Sequence, residues 1–138
     1  MYAASHELRF KLNGGVLDSR ITYYVRASKV VSHLLAHIDQ PMDLKDAARI
    51  ACMERTAFSK FFARSIGVSF KQFTLSVRIK RAIQYMSESD MSLTEIADAV
   101  GFEALGTFER VFKKMNGDTP SSFRKRLLAE KHGRALDR

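Results

Sequence analysis

Residues Leu93–Pro120 read LTEIADAVGFEALGTFERVFKKMNGDTP, and this stretch decides the fold. Ser92 stands before it as a helix cap, with Glu95 three positions on to close a capping box. Ile96, Ala97 and Val100 give the helix that follows one apolar face. Gly101 suits a left-handed turn position, which a residue with a Cβ resists. In the next helix Phe108, Val111, Phe112 and Met115 share a face, while Gly106, Glu109, Arg110 and Lys113 fall opposite at about 100° per residue. Gly117 ends it. A helix anchored on one side and charged on the other, set after a tight turn, predicts a helix-turn-helix that presents its second helix to the major groove of DNA.

The same pattern occurs earlier in the chain. Asp43 caps a helix over 44–51, Cys52-Met53-Glu54 forms the turn, and a helix over about 55–65 carries Phe58, Phe61 and Phe62 inward. Thr56, Ser59, Lys60 and Ala63 face out, and Gly67 ends the helix. Leu44, Ala47, Ala48, Ala51 and Cys52 stand 49 positions before Leu93, Ile96, Ala97, Val100 and Gly101. Phe58, Lys60 and Phe62 stand 50 positions before Phe108, Arg110 and Phe112, so the second turn has one extra residue.

Between the repeats a helix over about 69–87 is apolar on two sides, with Phe70, Phe73 and Val77 on one and Leu75, Ile79, Ala82, Ile83 and Met86 on the other. Such a helix is buried from both sides. At 1.5 Å per residue it is roughly 28 Å long, close to the ~34 Å repeat of the duplex, so one monomer is expected to set two helices in successive major-groove segments. Upstream, Val30, Val31, Leu34, Leu35 and Ile38 make one stripe of a helix from about Arg26 to Asp39, which Pro41 stops. Residues 1–25 form a short N-terminal extension. Leu8, Phe10 and Leu12, then Ile21, Tyr23 and Val25, alternate about Asn13-Gly14-Gly15 as a hairpin does. A tail packed on the domain is the preferred reading, because a lone hairpin is marginal in water. Thr119 and Pro120 open a last, basic helix over 120–130 with Arg124, Lys125 and Arg126, and 131–138 reads as a basic tail. The predicted fold is all-α, with about seven helices: two helix-turn-helix subdomains, 44–66 and 92–116, joined by a long connecting helix.

The series IADAVGF, TFERVFKK and GDTPSSFRK resembles the DNA-binding domain of the AraC/XylS family, and the match reaches upstream to about Val30. Several spaced motifs in order make the signal strong. The resemblance implies base reading by Thr56, Ser59 and Lys60 in the first unit and by Leu105, Gly106, Glu109 and Arg110 in the second. The helical wheel selects nearly the same residues, against the alternative of a merely solvated face. Lys60 or Arg110 can donate to guanine O6 and N7, Glu109 can accept from the cytosine amino group or hold Arg110, and Leu105 can touch a thymine methyl. Phosphate contacts are assigned to Arg55, Arg64, Arg78, Thr107, Lys113 and Lys114, aided by helix N-termini, with a structural salt bridge as the equal alternative for Arg78.

There are departures from the family pattern. Glu54 stands where Ser is common and is a poorer cap. Leu105 replaces a small or polar residue, and Gly106 offers no side chain, so the second unit is expected to lean on Arg110 and DNA shape. Asn116 and Asp118 replace apolar residues.

The chain has 138 residues, 46% of them hydrophobic, enough for a buried core in one domain or two small subdomains. Lys+Arg 23 against Asp+Glu 15 gives a net charge of +8, which favours a polyanionic partner. The one cysteine, Cys52, reads as a small buried residue and rules out an internal disulfide. His33 and His37 have metal-holding spacing, but Arg26 beside them opposes a cation, and no metal or cofactor is expected. No catalytic constellation is visible, so an enzyme is the weakest reading. No signal peptide or membrane span is visible either, and the chain reads as a cytosolic bacterial protein. The resemblance implies a transcriptional activator that touches RNA polymerase. It also implies a small stand-alone monomer without a small-molecule effector. The rivals are a protein-binding module that sequesters another regulator or the polymerase, and a basic last helix bound to anionic membrane.

Overall fold

The structure, a computed structural model, describes residues 15–136. These residues form seven helices and no strand: α1 (Gly15–Ala36), α2 (Leu44–Ile50), α3 (Arg55–Ile66), α4 (Phe70–Glu88), α5 (Leu93–Ala99), α6 (Leu105–Asn116) and α7 (Pro120–Leu136). They divide into two compact units. One takes the described residues through Leu34 together with Met42–Phe70, and the other takes Leu35–Pro41 and the chain from Lys71 onward. Helices α1 and α4 each contribute to both.

In the first unit Asp43 caps α2 through a reciprocal box. Its Oδ1 accepts the Asp46 N–H at 2.8 Å, and the Asp46 carboxylate accepts the Asp43 N–H at 3.2 Å. Val30, Leu34, Ala47, Ala48, Ala51, Phe58, Phe62 and Phe70 are buried. The Phe58 and Phe62 rings meet Phe70 edge-on at 5.6 and 5.3 Å, so the first residue of α4 closes this core. Phe61 is only half-buried. It lies against Tyr23 and Tyr24 of α1 at 5.2 and 5.4 Å and not in the centre of the core.

In the second unit the core is Ile79, Ala82 and Met86 of α4, Ile96, Ala97, Val100 and Phe102 of α5 and its turn, and Phe108 and Phe112 of α6. The stripe of α4 that carries Ile79 and Met86 therefore serves this unit, while Phe70 on the other stripe serves the first. Phe123 of α7 closes the second core with its ring 5.2 Å from Phe112.

Two boundaries and the burial of one residue differ from the sequence reading. Ile21, Tyr23 and Val25 lie in α1, so the second half of the proposed hairpin is helical, whereas Leu8, Phe10 and Leu12 lie outside the described residues. From Val16 to Gln40 no glycine or proline interrupts the chain, and a helix satisfies its own backbone where a lone strand cannot. Helix α7 continues to Leu136, past the expected end near 130, and Lys131 Nζ donates to Ser87 O at 2.7 Å. Cys52 is exposed, with φ 54, and is not a buried residue. The two unusual residues before Thr-Pro both find partners. Asn116 donates to Phe112 O at 3.2 Å, and Asp118 pairs with Arg126 at 2.8 Å.

Candidate nucleic-acid interface

The two units open their turns in the same way, and the second turn is one residue longer. Cys52 N–H donates to Arg49 O at 3.1 Å and Met53 N–H to Ala48 O at 2.9 Å; Gly101 N–H donates to Asp98 O at 3.0 Å and Phe102 N–H to Ala97 O at 2.9 Å. Cys52 and Gly101, 49 positions apart, both take positive φ, at 54 and 89. The helices that follow, α3 and α6, have 12 residues each and end at left-handed glycines, Gly67 and Gly117. Each rests on a buried pair of phenylalanines, Phe58 with Phe62 and Phe108 with Phe112. The apolar periodicity thus turns the opposite face of each helix outward.

On α3 that face exposes Arg55, Thr56, Lys60 and Arg64, with Ser59 half-buried beside them. On α6 it exposes Gly106, Thr107, Glu109, Arg110, Lys113 and Lys114. No other described residue forms a hydrogen bond or ion pair with the side chains of Lys60, Arg64, Arg110, Lys113 or Lys114. Their donors remain available to an external anion or base edge. Leu105 differs from its neighbours: it is half-buried and packs against the second core. Above Gly106 there is open space, so a partner's atoms can approach the helix backbone there.

The helix starts are unlike. Glu54 caps α3 with both carboxylate oxygens, which accept the Thr56 and Ala57 N–H groups at 2.9 Å each. The longer side chain reaches two amides where a serine reaches one, so Glu54 is a better cap here than general preference implies. The Thr56 N–H, and after it that of Ala57, hold the Glu54 carboxyl below its ordinary range. These amides are therefore already engaged and are not donors to phosphate, contrary to the sequence reading for this helix. Ala104 caps α6 without any side-chain bond.

Arg78 is a correction. It was assigned to phosphate or, equally, to a structural salt bridge, yet it is buried at 4% exposure and is held by backbone carbonyls. Its Nη1 donates to Ile38 O and to Val100 O, the latter at 2.7 Å, and its Nη2 donates to Gln40 O at 2.9 Å. The guanidinium is consumed inside the second unit. Burial lowers its pKa, and the charge of Asp39 works against that. Arg124 is likewise held by backbone, donating to Met91 O at 2.6 Å and Ser89 O at 2.8 Å. Among the described residues no three His, Cys, Asp or Glu side chains gather as a metal group, and no helix is long and apolar enough to cross a membrane.

A helix-turn-helix domain family is matched over residues 47–126. The Msm operon regulatory protein of Streptococcus mutans is 31% identical over 80% of this chain, which spans 39% of that relative's length. The DNA-binding domain of AdpA, solved in complex with a target DNA, superposes with a TM-score of 0.73 at 26% identity, covering 75% of this chain and 94% of that one. A probable AraC family transcriptional regulator from Rhodopseudomonas palustris superposes with a TM-score of 0.64 at 26% identity over 74% of this chain and 96% of that one. Two helix-turn-helix units whose turns open in the same way, and this shared architecture, show that the chain belongs to the AraC-type helix-turn-helix family of transcriptional regulators.

Proposed function

We propose that the chain binds double-stranded DNA sequence-specifically and regulates transcription, with α3 and α6 each entering a major-groove segment. The observation that carries this reading is the repeated outward face, where Lys60, Arg64, Arg110, Lys113 and Lys114 have no side-chain partner among the described residues, on two helices that each follow a turn opened in the same way. The net charge of +8 favours approach to a polyanion. The DNA held by the AdpA domain supports the same reading. In the proposed complex Thr56, Ser59 and Lys60 read one part of the site, and Glu109 and Arg110 read the other. Gly106 admits a close approach, and Leu105 contributes through its exposed edge. Arg55, Arg64, Thr107, Lys113 and Lys114 grip phosphate. We assign the chain an activating role with contact to RNA polymerase, as a monomer.

The test is selection of bound duplexes from a random DNA pool at two salt concentrations. An enriched motif in two parts about one helical turn apart supports the reading. Binding that shows no motif and vanishes as salt rises would leave only a basic surface.

Two substitutions refine the assignment. Arg110→Ala is expected to relax preference at one position of the part read by α6, at a cost of ~1–3 kcal/mol on the preferred sequence. Equal weakening on every sequence would reduce Arg110 to a phosphate contact. Lys114→Ala is expected to weaken all sequences alike and to lower the slope of log affinity against log salt by about one. A titration with an unchanged slope would remove Lys114 from the phosphate set.

A further inference from the structure

We infer that Arg78 is a positioning residue that sets α6 for base reading, although its side chain reaches no partner outside the protein. The inference rests on the DNA-binding function proposed above. Its three acceptors stand where helices end. Ile38 and Gln40 lie in the turn after α1, where Gln40 N–H also bonds His37 O at 3.0 Å, and Val100 is the C-terminal cap of α5. Carbonyls at helix ends lack partners within the helix and carry the negative end of its dipole. A planar guanidinium answers several of them at once, which a lysine ammonium cannot do with the same geometry.

Gly101 records how closely the group is seated. A Cβ at this position would lie 1.6 Å from Arg78 Nη1 and 2.7 Å from Ile38 O. The guanidinium therefore lies directly against the turn backbone. Val100 O is pinned on one side of Gly101, and on the other Phe102 is 7% exposed in the core with its N–H on Ala97 O. The chain then enters α6 at Leu105. Fixing Val100 and Gly101 fixes the direction in which the chain leaves for α6, and base reading tolerates only about 0.5 Å of misplacement. In the first unit the corresponding turn carbonyl, Cys52 O, accepts from Arg26 Nη1 at 3.2 Å.

The experiment compares the full chain with Arg78→Lys by two readouts. The first is amide hydrogen exchange of the free protein. In the wild type, Gly101 and Phe102 are expected to exchange as slowly as Phe108 and Phe112. In Arg78→Lys they are expected to exchange ~10-fold or more faster relative to those core amides. The second readout is duplex selection. In Arg78→Lys, preferences in the part read by α6 are expected to fall from about tenfold per base pair to about twofold. Those in the other part stay within about twofold, and the salt slope is unchanged.

A slope lowered by about one would make Arg78 a phosphate contact and overturn the inference. So would undiminished preferences in both parts, or equal loss in both. Should Arg78→Lys not fold, the wild-type exchange decides: a turn that exchanges freely while Phe108 and Phe112 stay protected overturns the clamp. A wild type that selects no motif would remove the proposed DNA function, while the exchange comparison would still decide whether Arg78 holds the turn.

Discussion

Gly101→Ala will destabilise the protein by about 3–5 kcal/mol, read as a lower midpoint in urea unfolding. Two effects add. Gly101 has φ 89, a conformation that costs a residue with a Cβ about 1–2 kcal/mol. The new methyl would also collide with Arg78 Nη1 at 1.6 Å and Ile38 O at 2.7 Å. Neither neighbour can yield cheaply, because one is backbone and the other is a buried cation bonded to three carbonyls. Displacing that cation leaves Val100 O, Ile38 O and Gln40 O short of a donor. Gly117→Ala is the control. Its φ of 75 is also left-handed, but nothing lies within 4 Å of the added carbon, so about 1 kcal/mol is expected. Equal losses for the two variants would mean that backbone strain alone acts at Gly101.

Phe112→Ala will cost a further large amount when made separately, about 3–5 kcal/mol. Phe112 is 0% exposed, and its ring lies 5.8 Å from Phe108 and 5.2 Å from Phe123. Deleting it opens a cavity between α6 and α7 that the surrounding rings fill only in part. Phe112→Leu keeps most of the volume and should cost no more than about 1.5 kcal/mol. The same urea titration separates the pair. Similar midpoints would show that the core collapses to close the gap and that the aromatic ring itself contributes little.

Much of this architecture was legible in the sequence because its signals are local. Ser92 accepting the Glu95 N–H at 3.1 Å, which is the one half of the expected box that forms, the phenylalanine pairs of α3 and α6 and the terminal glycines all lie within a few residues of the element they define. The repeat was legible for the same reason, since 49 positions separate two copies of one local pattern. Arg78 was not. Its acceptors lie 40, 38 and 22 positions away, and an arginine between apolar stripes reads as a surface residue until the turn that it holds is placed. The start of α1 was missed because Ile21, Tyr23 and Val25 alternate as a strand does and share no one face of a helix. Glu54 was undervalued because average capping preferences do not show that one side chain reaches two amides. The outward faces of α3 and α6 were legible as faces, but Leu105 was separable from its neighbours only through its contact with the second core.

Helices α3 and α6 each rest on an aromatic core of their own. A substitution at Gly106, exposed and with open space above it, changes the outward face of α6 without disturbing the phenylalanines under α3. Under the proposed function, such a regulator would be able to change its target one half at a time, keeping a foothold on the old sequence through the other.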